Sequence, residues 1–318
     1  MFNDYSAAFL NADQPFIDFY PAAANAATQS LTRAEFLLLA ERAAGLLIDE
    51  GLERYDTFAF CPTDNRVHDL ALRLAGSMTG MIAVAINGRT DPIERFIAKI
   101  KASKAKIAFI DNGIARDLLV ALRDACPTLR ICYLTEIDEA EAFDDPALFD
   151  DRIKDTDPRL IFCNTALNAD PIGFRWNWGQ CRTQWQAIDS ALGLMPDEPC
   201  AVFVAQPLGD AGATMLADWA MRRPNARLSL LEHDGDRVWP LLSSLITETA
   251  DRVFTQIDAA GLVEIHKRMA DGNYPIDRAP FAETLARVEF IVAADPAQQL
   301  VTGALRVIVL PGFSETTP

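Results

Sequence analysis

The pattern closest to a catalytic motif lies at residues 312–316. Gly312, Phe313 and Ser314 begin like the nucleophile elbow of a serine hydrolase, in which the serine stands between two glycines. Thr316 occupies the place of the second glycine, which disfavours that chemistry. A polar turn after a strand is the alternative interpretation.

The histidines and cysteines form no catalytic constellation in the sequence. We expect His68 and His266 on helices and His233 in a polar turn. The six cysteines lie in apolar surroundings, without C-x-x-C pairs or histidines at zinc-ligand spacing, so buried reduced thiols are expected. Neither a G-x-x-x-x-G-K-[ST] phosphate loop nor a G-x-G-x-x-G fingerprint occurs.

Charge restricts the partners of this chain of 318 residues. Its 29 Lys and Arg against 45 Asp and Glu give a formal net charge of −16. This charge repels nucleic-acid phosphate and anionic lipid, and no local basic run is expected to offset it. We therefore expect neither a nucleic-acid nor a membrane partner. Without a signal-like start or an apolar run long enough to cross a bilayer, a cytoplasmic location is expected.

Predicted strands alternate with predicted helices along the chain. Thr32 and Glu35 have the spacing of a capping box at the start of a helix that Gly51 ends. Strands are predicted at residues 57–61, 81–86, 106–110, 130–134, 159–163, 201–206, 227–231, 288–293 and 306–310. Further helices are predicted at residues 65–79, 91–103, 113–125, 181–192, 213–222, 238–250 and 258–270. The alternation predicts an α/β fold with largely parallel sheets.

An acidic stretch at residues 136–158 interrupts this alternation. It contains ten acidic residues against Arg152 and Lys154 and has little apolar periodicity. We interpret it as a solvated linker between a first α/β subdomain, residues 1–135, and a second, residues 159–318.

The order of these segments resembles the N-terminal part of the adenylate-forming superfamily, which includes acyl-CoA synthetases, aryl-CoA ligases, peptide-synthetase adenylation domains and luciferases. The residues that carry the resemblance are 31–36, the small-residue helix up to Gly51, Tyr55, residues 80–87 and residues 92–94. The resemblance implies two flavodoxin-like sheet-and-helix subdomains in a layered sandwich. It covers nearly all of this chain but only the first part of a family enzyme.

The family's phosphate loop, T-S-G-T-T-G-x-P-K-G, aligns without a gap to residues 164–173. Asn164, Thr165 and Gly173 are the nucleotide-binding candidates there. Alanines replace two glycines of the loop, at positions 166 and 169, and each costs roughly 1–2 kcal/mol if the glycine conformation is kept. Ile172 replaces the lysine that meets phosphate charge, which removes charge-assisted hydrogen bonds of about 1.5–3 kcal/mol each.

Two later family motifs also have counterparts. The Gly-Gly-Glu turn corresponds to residues 293–295, which contain no glycine. The aromatic-Gly-x-Thr-Glu motif resembles residues 311–315, where Gly312, Ser314 and Glu315 remain as cofactor-binding candidates and Glu315 as the remnant metal-side carboxylate. Three tryptophans could form an apolar lid over the site, but we favour a position in the core for them: Trp176, Trp178 and Trp185.

The resemblance implies ATP and Mg²⁺ as the family's cofactors, but the changed loop leads us to expect no cofactor here. The sequence ends at Pro318, before the family's β-barrel and its C-terminal domain with the catalytic lysine. We expect a truncated synthetase-like protein, inactive or strongly impaired, that serves as a binding or assembly subunit. The alternatives are a carboxylic-acid adenylating enzyme, weak alone or completed by a separate polypeptide, and an acyl- or aryl-acid binder.

Association is the last expectation from the sequence. The missing domains would leave apolar surface to be reburied, which favours a homodimer or a partner synthetase subunit. Since the chain is acidic, a protein partner with a basic patch is preferred over an acidic carrier.

Overall fold

The computed structural model describes the chain over most of its length, at residues 3–22, 27–86, 88, 91–143, 153–163, 173–232, 238–245, 248–272, 278–294 and 305–311. These ranges contain two sheets and the helices that pack on them. No helix among the described residues is long and apolar enough to cross a membrane.

Two sheets organise the fold. The seven-stranded sheet has the spatial order β13 (Arg306–Pro311), β12 (Val288–Ala294), β11 (Val253–Gln256), β9 (Cys200–Val204), β10 (Ala226–Leu231), β1 (Pro15–Tyr20) and β2 (Gln29–Thr32). The six-stranded sheet has the order β6 (Arg130–Tyr133), β5 (Ile107–Ile110), β3 (Thr57–Cys61), β4 (Ile82–Ala85), β7 (Pro158–Cys163) and β8 (Gly173–Asn177). Neighbouring strands are parallel except in the β1–β2 and β7–β8 pairs, which are antiparallel.

Helices cover both faces of both sheets. In chain order they are α1 (Asn3–Ser6), α2 (Arg33–Asp49), α3 (Val67–Thr79), α4 (Ile93–Ser103), α5 (Arg116–Ala125), α6 (Glu136–Glu139), α7 (Trp178–Leu192), α8 (Ala211–Arg222), α9 (Val238–Leu245), α10 (Ala259–Ala270) and α11 (Arg278–Arg287). The core between the sheets contains residues of α2, α3, α7 and α8. Outer cores place α9, α10 and α11 on the seven-stranded sheet and α4 and α5 on the six-stranded sheet.

Strand residues alternate between these cores, as period-two side chains must. In β3, Phe58 and Phe60 face the central core, whereas Ala59 and Cys61 face the outer one. Burial on both faces explains the continuous apolar runs in the sequence. The predicted layered α/β sandwich is confirmed.

The capping box at the start of α2 is also confirmed. The hydroxyl of Thr32 accepts a hydrogen bond from the backbone N–H of Glu35 at 3.2 Å, and the N–H of Thr32 donates to the Glu35 carboxylate at 2.7 Å. Two N–H groups that the first turn would leave without partners are thereby satisfied.

The strands of the two sheets do not divide at the acidic stretch. β1 and β2 precede residue 135 but belong to the seven-stranded sheet, and β7 and β8 follow residue 158 but extend the six-stranded sheet. β1 pairs in parallel with β10 of the seven-stranded sheet, and β4 pairs in parallel with β7 across the acidic stretch. The division into subdomains at residues 1–135 and 159–318 stays a prediction.

Part of the expected solvated linker is packed rather than solvated. Ile137 of α6 is fully buried, and Phe143 packs against the central core. The chain approaches α2 closely there, since a Cβ on Gly45 would lie 2.1 Å from the carbonyl oxygen of Glu141. These two apolar side chains anchor the start of the acidic stretch.

A buried ion pair joins β7 of one sheet to α8. Arg159 Nη1 lies 2.7 Å from Asp218 Oδ2, and the two side chains are 2% and 0% exposed. The guanidinium also donates to the Tyr5 hydroxyl at 2.6 Å and lies over the rings of Trp178 and Trp185. The two tryptophans therefore belong to the central core, which confirms the favoured interpretation, and Trp176 packs against the same core.

We predict that Asp218→Ala lowers the free energy of unfolding by about 3–5 kcal/mol, because it leaves the Arg159 charge buried without its partner. The double variant Arg159→Met, Asp218→Leu should recover most of this loss. Urea denaturation followed by circular dichroism measures both. A loss below about 1 kcal/mol in the single variant would contradict the role given to the pair.

Candidate functional site

Ligands of open α/β sheets bind outside the carboxyl ends of the strands. In this fold, polar residues follow the carboxyl ends of strands from both sheets. Asn65 comes after β3, Asp111 after β5 and Glu232 after β10. Hydrogen bonds and ion pairs bring them together into a group that we call the carboxyl-edge network.

Asn65 is the centre of the carboxyl-edge network. Its buried amide nitrogen lies 3.0 Å from the carbonyl oxygen of Gln206 and 3.1 Å from that of Leu231, with that of Val204 at 3.4 Å. Its oxygen accepts from the N–H of Leu208 at 2.8 Å. A side chain after β3 of the six-stranded sheet thus satisfies backbone groups after β9 and at the end of β10 of the seven-stranded sheet.

The charge of Arg66 is neutralised within the network. Its guanidinium forms an ion pair with Glu232, and its Nε lies 3.8 Å from Asp111 Oδ2. Asp111 in turn accepts hydrogen bonds from the N–H and the hydroxyl of Thr63, both at 2.8 Å. The chain's own carboxylates therefore neutralise the Arg66 guanidinium.

Two buried charged groups of α3 lie behind the network. Burial raises the pKa of the Asp69 carboxyl to about 8, although the nearby Arg73 acts in the opposite direction. Burial lowers the pKa of Arg73 to about 10. The Arg73 guanidinium donates to the carbonyl oxygen of Leu208 and lies 4.5 Å from the centre of the Phe60 ring.

A cavity of about 590 Å³ adjoins this network and is named here the hairpin cavity. It lies between the β1–β2 hairpin, α2 and the start of α3, and its apolar lining consists of Phe19, Leu31, Leu38, Leu39 and Val67. Leu38 is 41% exposed, so part of this apolar lining is accessible from outside.

Two arginines and a histidine also line the hairpin cavity. Arg66 contributes to both the cavity and the network, and His68 Nε2 lies 3.1 Å from Asp138 Oδ1. Arg42 of α2 is half-buried in the wall and forms no hydrogen bond or ion pair with the residues that the structure describes. The carboxylates of Glu35 and Asp138 also line the cavity, but Glu35 accepts hydrogen bonds from Thr32, and Asp138 lies beside His68. Arg42 is therefore the group through which this partly apolar cavity could hold an organic anion.

Most of the site residues that the sequence singled out lie outside the described residues. They are Asn164, Thr165, Gly312, Ser314 and Glu315, together with Ala166, Ala169 and Ile172. The strands before them are described, since β7 ends at Cys163 and β13 at Pro311. Their assignments to nucleotide and metal stay predictions.

Gly173 is the described member of that set. It is the first residue of β8 and pairs with Cys163 of β7. A Cβ at this position would lie 2.9 Å from Cγ2 of Ile161, so close packing in the hairpin explains the glycine. Its contact with a nucleotide stays a prediction.

Sequence reasoning missed the carboxyl-edge network, although a signal for it was present. Asn65 and Asp111 stand within four residues of the ends of predicted strands, where parallel sheets place their ligand sites. Only contacts distant in sequence, such as that of Asn65 with Leu231, reveal that the two edges meet.

Comparison with known proteins gives a result for structures only. No family model and no curated protein matches the chain. The N-terminal domain of FACL13 from Mycobacterium tuberculosis superimposes with a TM-score of 0.72 at 17% identity, over 92% of this chain and 69% of that one. Apo MatB from Rhodopseudomonas palustris gives 0.69 at 16% identity, over 92% and 55%.

O-succinylbenzoate Coenzyme A Synthetase (MenE) from Bacillus subtilis, in complex with ATP and magnesium, gives a TM-score of 0.69 at 14% identity, over 92% of this chain and 54% of that one. The chain has the fold of acyl-CoA synthetase N-terminal domains. It spans about half the length of MatB and MenE. The fold that the sequence resemblance implied is therefore confirmed.

Two cations behind the carboxyl edge are held by groups of the same chain. Arg66 is held by Glu232 and Asp111, and Arg73 is buried against Phe60. Among the residues that the structure describes, no group of three His, Cys, Asp or Glu side chains could hold a metal ion. Glu315, the predicted metal-side carboxylate, lies outside them.

We predict a pH-dependent stability that originates in Asp69. Between about pH 4 and pH 8 the folded carboxyl keeps its proton while the unfolded one loses it, so the free energy of unfolding falls by up to about 1.4 kcal/mol per pH unit. Asp69→Asn should remove this slope, and Asp124→Asn on the exposed surface of α5 should keep it. Urea denaturation at a series of pH values provides the measurement. Parallel curves for the wild type and Asp69→Asn would refute the assignment.

Proposed function

We propose that this chain is a binding or assembly subunit with an acyl-CoA synthetase N-terminal fold, and that it takes a small acyl or aryl carboxylate in the hairpin cavity without adenylating it. The observation that carries the proposal is the pairing of Arg66 with Glu232 and Asp111. This pairing removes a cation from the edge where a nucleotide phosphate would need one. Neither ATP nor Mg²⁺ is required by such a function.

Electrostatics support the loss of adenylation. A triphosphate would have to displace the chain's own carboxylates from Arg66, and hydrogen bonds to charged groups contribute about 1.5–3 kcal/mol each. Ile172 stands where the resemblance places a phosphate-binding lysine, and two glycines of the loop are alanines. Electrostatic stabilisation usually dominates phosphate chemistry. The paired Arg66, Ile172 and the two alanines therefore all disfavour the binding of ATP phosphate.

The hairpin cavity supports a carboxylate ligand. Its volume of about 590 Å³ lies within the common range for small-molecule sites, roughly 300–1,000 Å³. Its apolar wall would receive an alkyl or aromatic group, and Arg42 would receive the carboxylate. One structural neighbour is by name an O-succinylbenzoate coenzyme A synthetase, and O-succinylbenzoate is an aromatic carboxylate.

A second candidate is a carboxylic-acid adenylating enzyme, weak alone or completed by a separate polypeptide. It is favoured by the ATP-bound neighbours of the same fold and by the survival of Gly312, Ser314 and Glu315 in the sequence. A homodimer or a partner synthetase subunit is compatible with either candidate.

The purified chain should catalyse no carboxylate-dependent pyrophosphate exchange. Loss of one preorganised donor alone commonly costs on the order of 10²–10³ in rate, and several are changed here. Radiolabelled exchange with a panel of acids measures this, with and without Glu315→Ala. Robust exchange that Glu315→Ala abolishes would establish the second candidate instead.

Arg42→Ala should weaken the binding of benzoate or octanoate about tenfold, which corresponds to about 1.4 kcal/mol for the lost charge-assisted contact. Arg116→Ala, at an exposed position on α5, is the matched control and should bind as the wild type does. Ligand-observed NMR titration measures both. Equal affinities for Arg42→Ala and the control would exclude Arg42 as the carboxylate partner.

A further inference from the structure

The lysines of this chain are concentrated in one short segment. Four of its six lysines lie within residues 99–106, in a protein of net charge −16. The expectation that no local basic run offsets the acidic charge is therefore wrong. The net charge of the whole chain does not reveal this local group of positive charges.

The fold places three of these lysines around one cleft. Helix α4 ends at Ser103 and β5 begins at Ile107, so Lys101, Lys104 and Lys106 lie at the amino edge of the six-stranded sheet. Together with Arg130, the first residue of β6, they line a cleft of about 630 Å³, which we call the lysine cleft. It is opposite the carboxyl edge, where the network and the hairpin cavity lie.

Two of the charges in the lysine cleft are not neutralised by the chain. Lys106 pairs with Asp56 at 2.6 Å, and Arg130 pairs with Glu50 at 3.1 Å. Lys101 and Lys104 are exposed and form no ion pair with any residue that the structure describes. The cleft therefore has a local positive charge on an acidic protein.

The backbone of Lys104 has an uncommon conformation. Lys104 ends α4 with φ of +58°, in the left-handed region where glycine or asparagine is usual. For a side chain of this kind the conformation costs roughly 1–2 kcal/mol. Such outliers concentrate at functional positions, and here the outlier presents a lysine at the cleft.

The floor of the lysine cleft is apolar and the rim is cationic. Leu52, Ile100, Ile107 and Leu129 line the floor. Because the rim lysines are exposed on flexible side chains, they lack the rigid, buried polar groups of a small-molecule site. They suit a surface that offers several carboxylates at once, and complementary charge of this kind accelerates encounter and gives specificity.

We propose that the lysine cleft docks an acidic segment of a partner protein, whose carboxylates meet Lys101 and Lys104 and whose apolar side chain contacts the floor. This reverses the expectation of a partner with a basic patch. The proposal goes beyond carboxylate binding in the hairpin cavity, since it concerns the opposite edge of the sheet. Either one can fail without the other.

The test uses fluorescence anisotropy of a labelled peptide of alternating glutamate and leucine against the full chain. Wild-type protein should bind it, and the double variant Lys101→Glu, Lys104→Glu should bind at least about tenfold more weakly. The matched control, Lys154→Glu with Lys267→Glu, makes the same charge change at the two exposed lysines outside the segment and should bind like the wild type. Thermal melts verify that both double variants are folded.

Raising the salt concentration should weaken wild-type binding, and the same peptide with glutamine for glutamate should not bind. The proposal is overturned if both double variants lose binding equally, if the glutamine peptide binds as well, or if the wild type binds no acidic peptide. Binding of inorganic pyrophosphate without binding of the peptide would assign the cleft to small anions and also overturn it.

Discussion

The side chain of Asn65 fixes the relation between the two sheets at their carboxyl edge. One buried amide contacts backbone groups after β9 and at the end of β10, although Asn65 itself follows β3 of the other sheet. Unpaired buried carbonyl and N–H groups cost about 1–3 kcal/mol each, so this position tolerates few other residues. Arg66 comes next in the chain, and its place beside Glu232 and Asp111 follows from the position of Asn65.

The carboxyl and amino edges of the six-stranded sheet differ in how the chain pairs its own charges. At the carboxyl edge, Arg66 pairs with a carboxylate and Arg73 donates to a backbone carbonyl of the same chain. These contacts stabilise the fold, but they leave little positive charge from the two arginines for a phosphate. At the amino edge, Lys101 and Lys104 lack such partners among the described residues. The fold is that of solved structures with bound ATP, and the proposal of other ligands for this chain depends on this difference in charge between the edges.

Local signals in the sequence predicted most of the elements. The spacing of Thr32 and Glu35 gave the start of α2, and uninterrupted apolar runs gave β3, β5 and β9. Four strands and three helices were missed, because they are short or lack a strong periodic pattern: β1, β2, β8, β11, α1, α6 and α11. The assignment of β7 to the first sheet and the meeting of Asn65 with Leu231 depend on contacts distant in sequence, which no local pattern contains.

The central claim is that the chain's own carboxylates have replaced nucleotide phosphate at the carboxyl edge. Isothermal titration calorimetry of the purified chain with ATP and Mg²⁺ tests it most directly. The account predicts no saturable binding below about 1 mM, a limit that corresponds to about −4 kcal/mol. Saturable binding at micromolar ATP, weakened by Glu315→Ala, would contradict it.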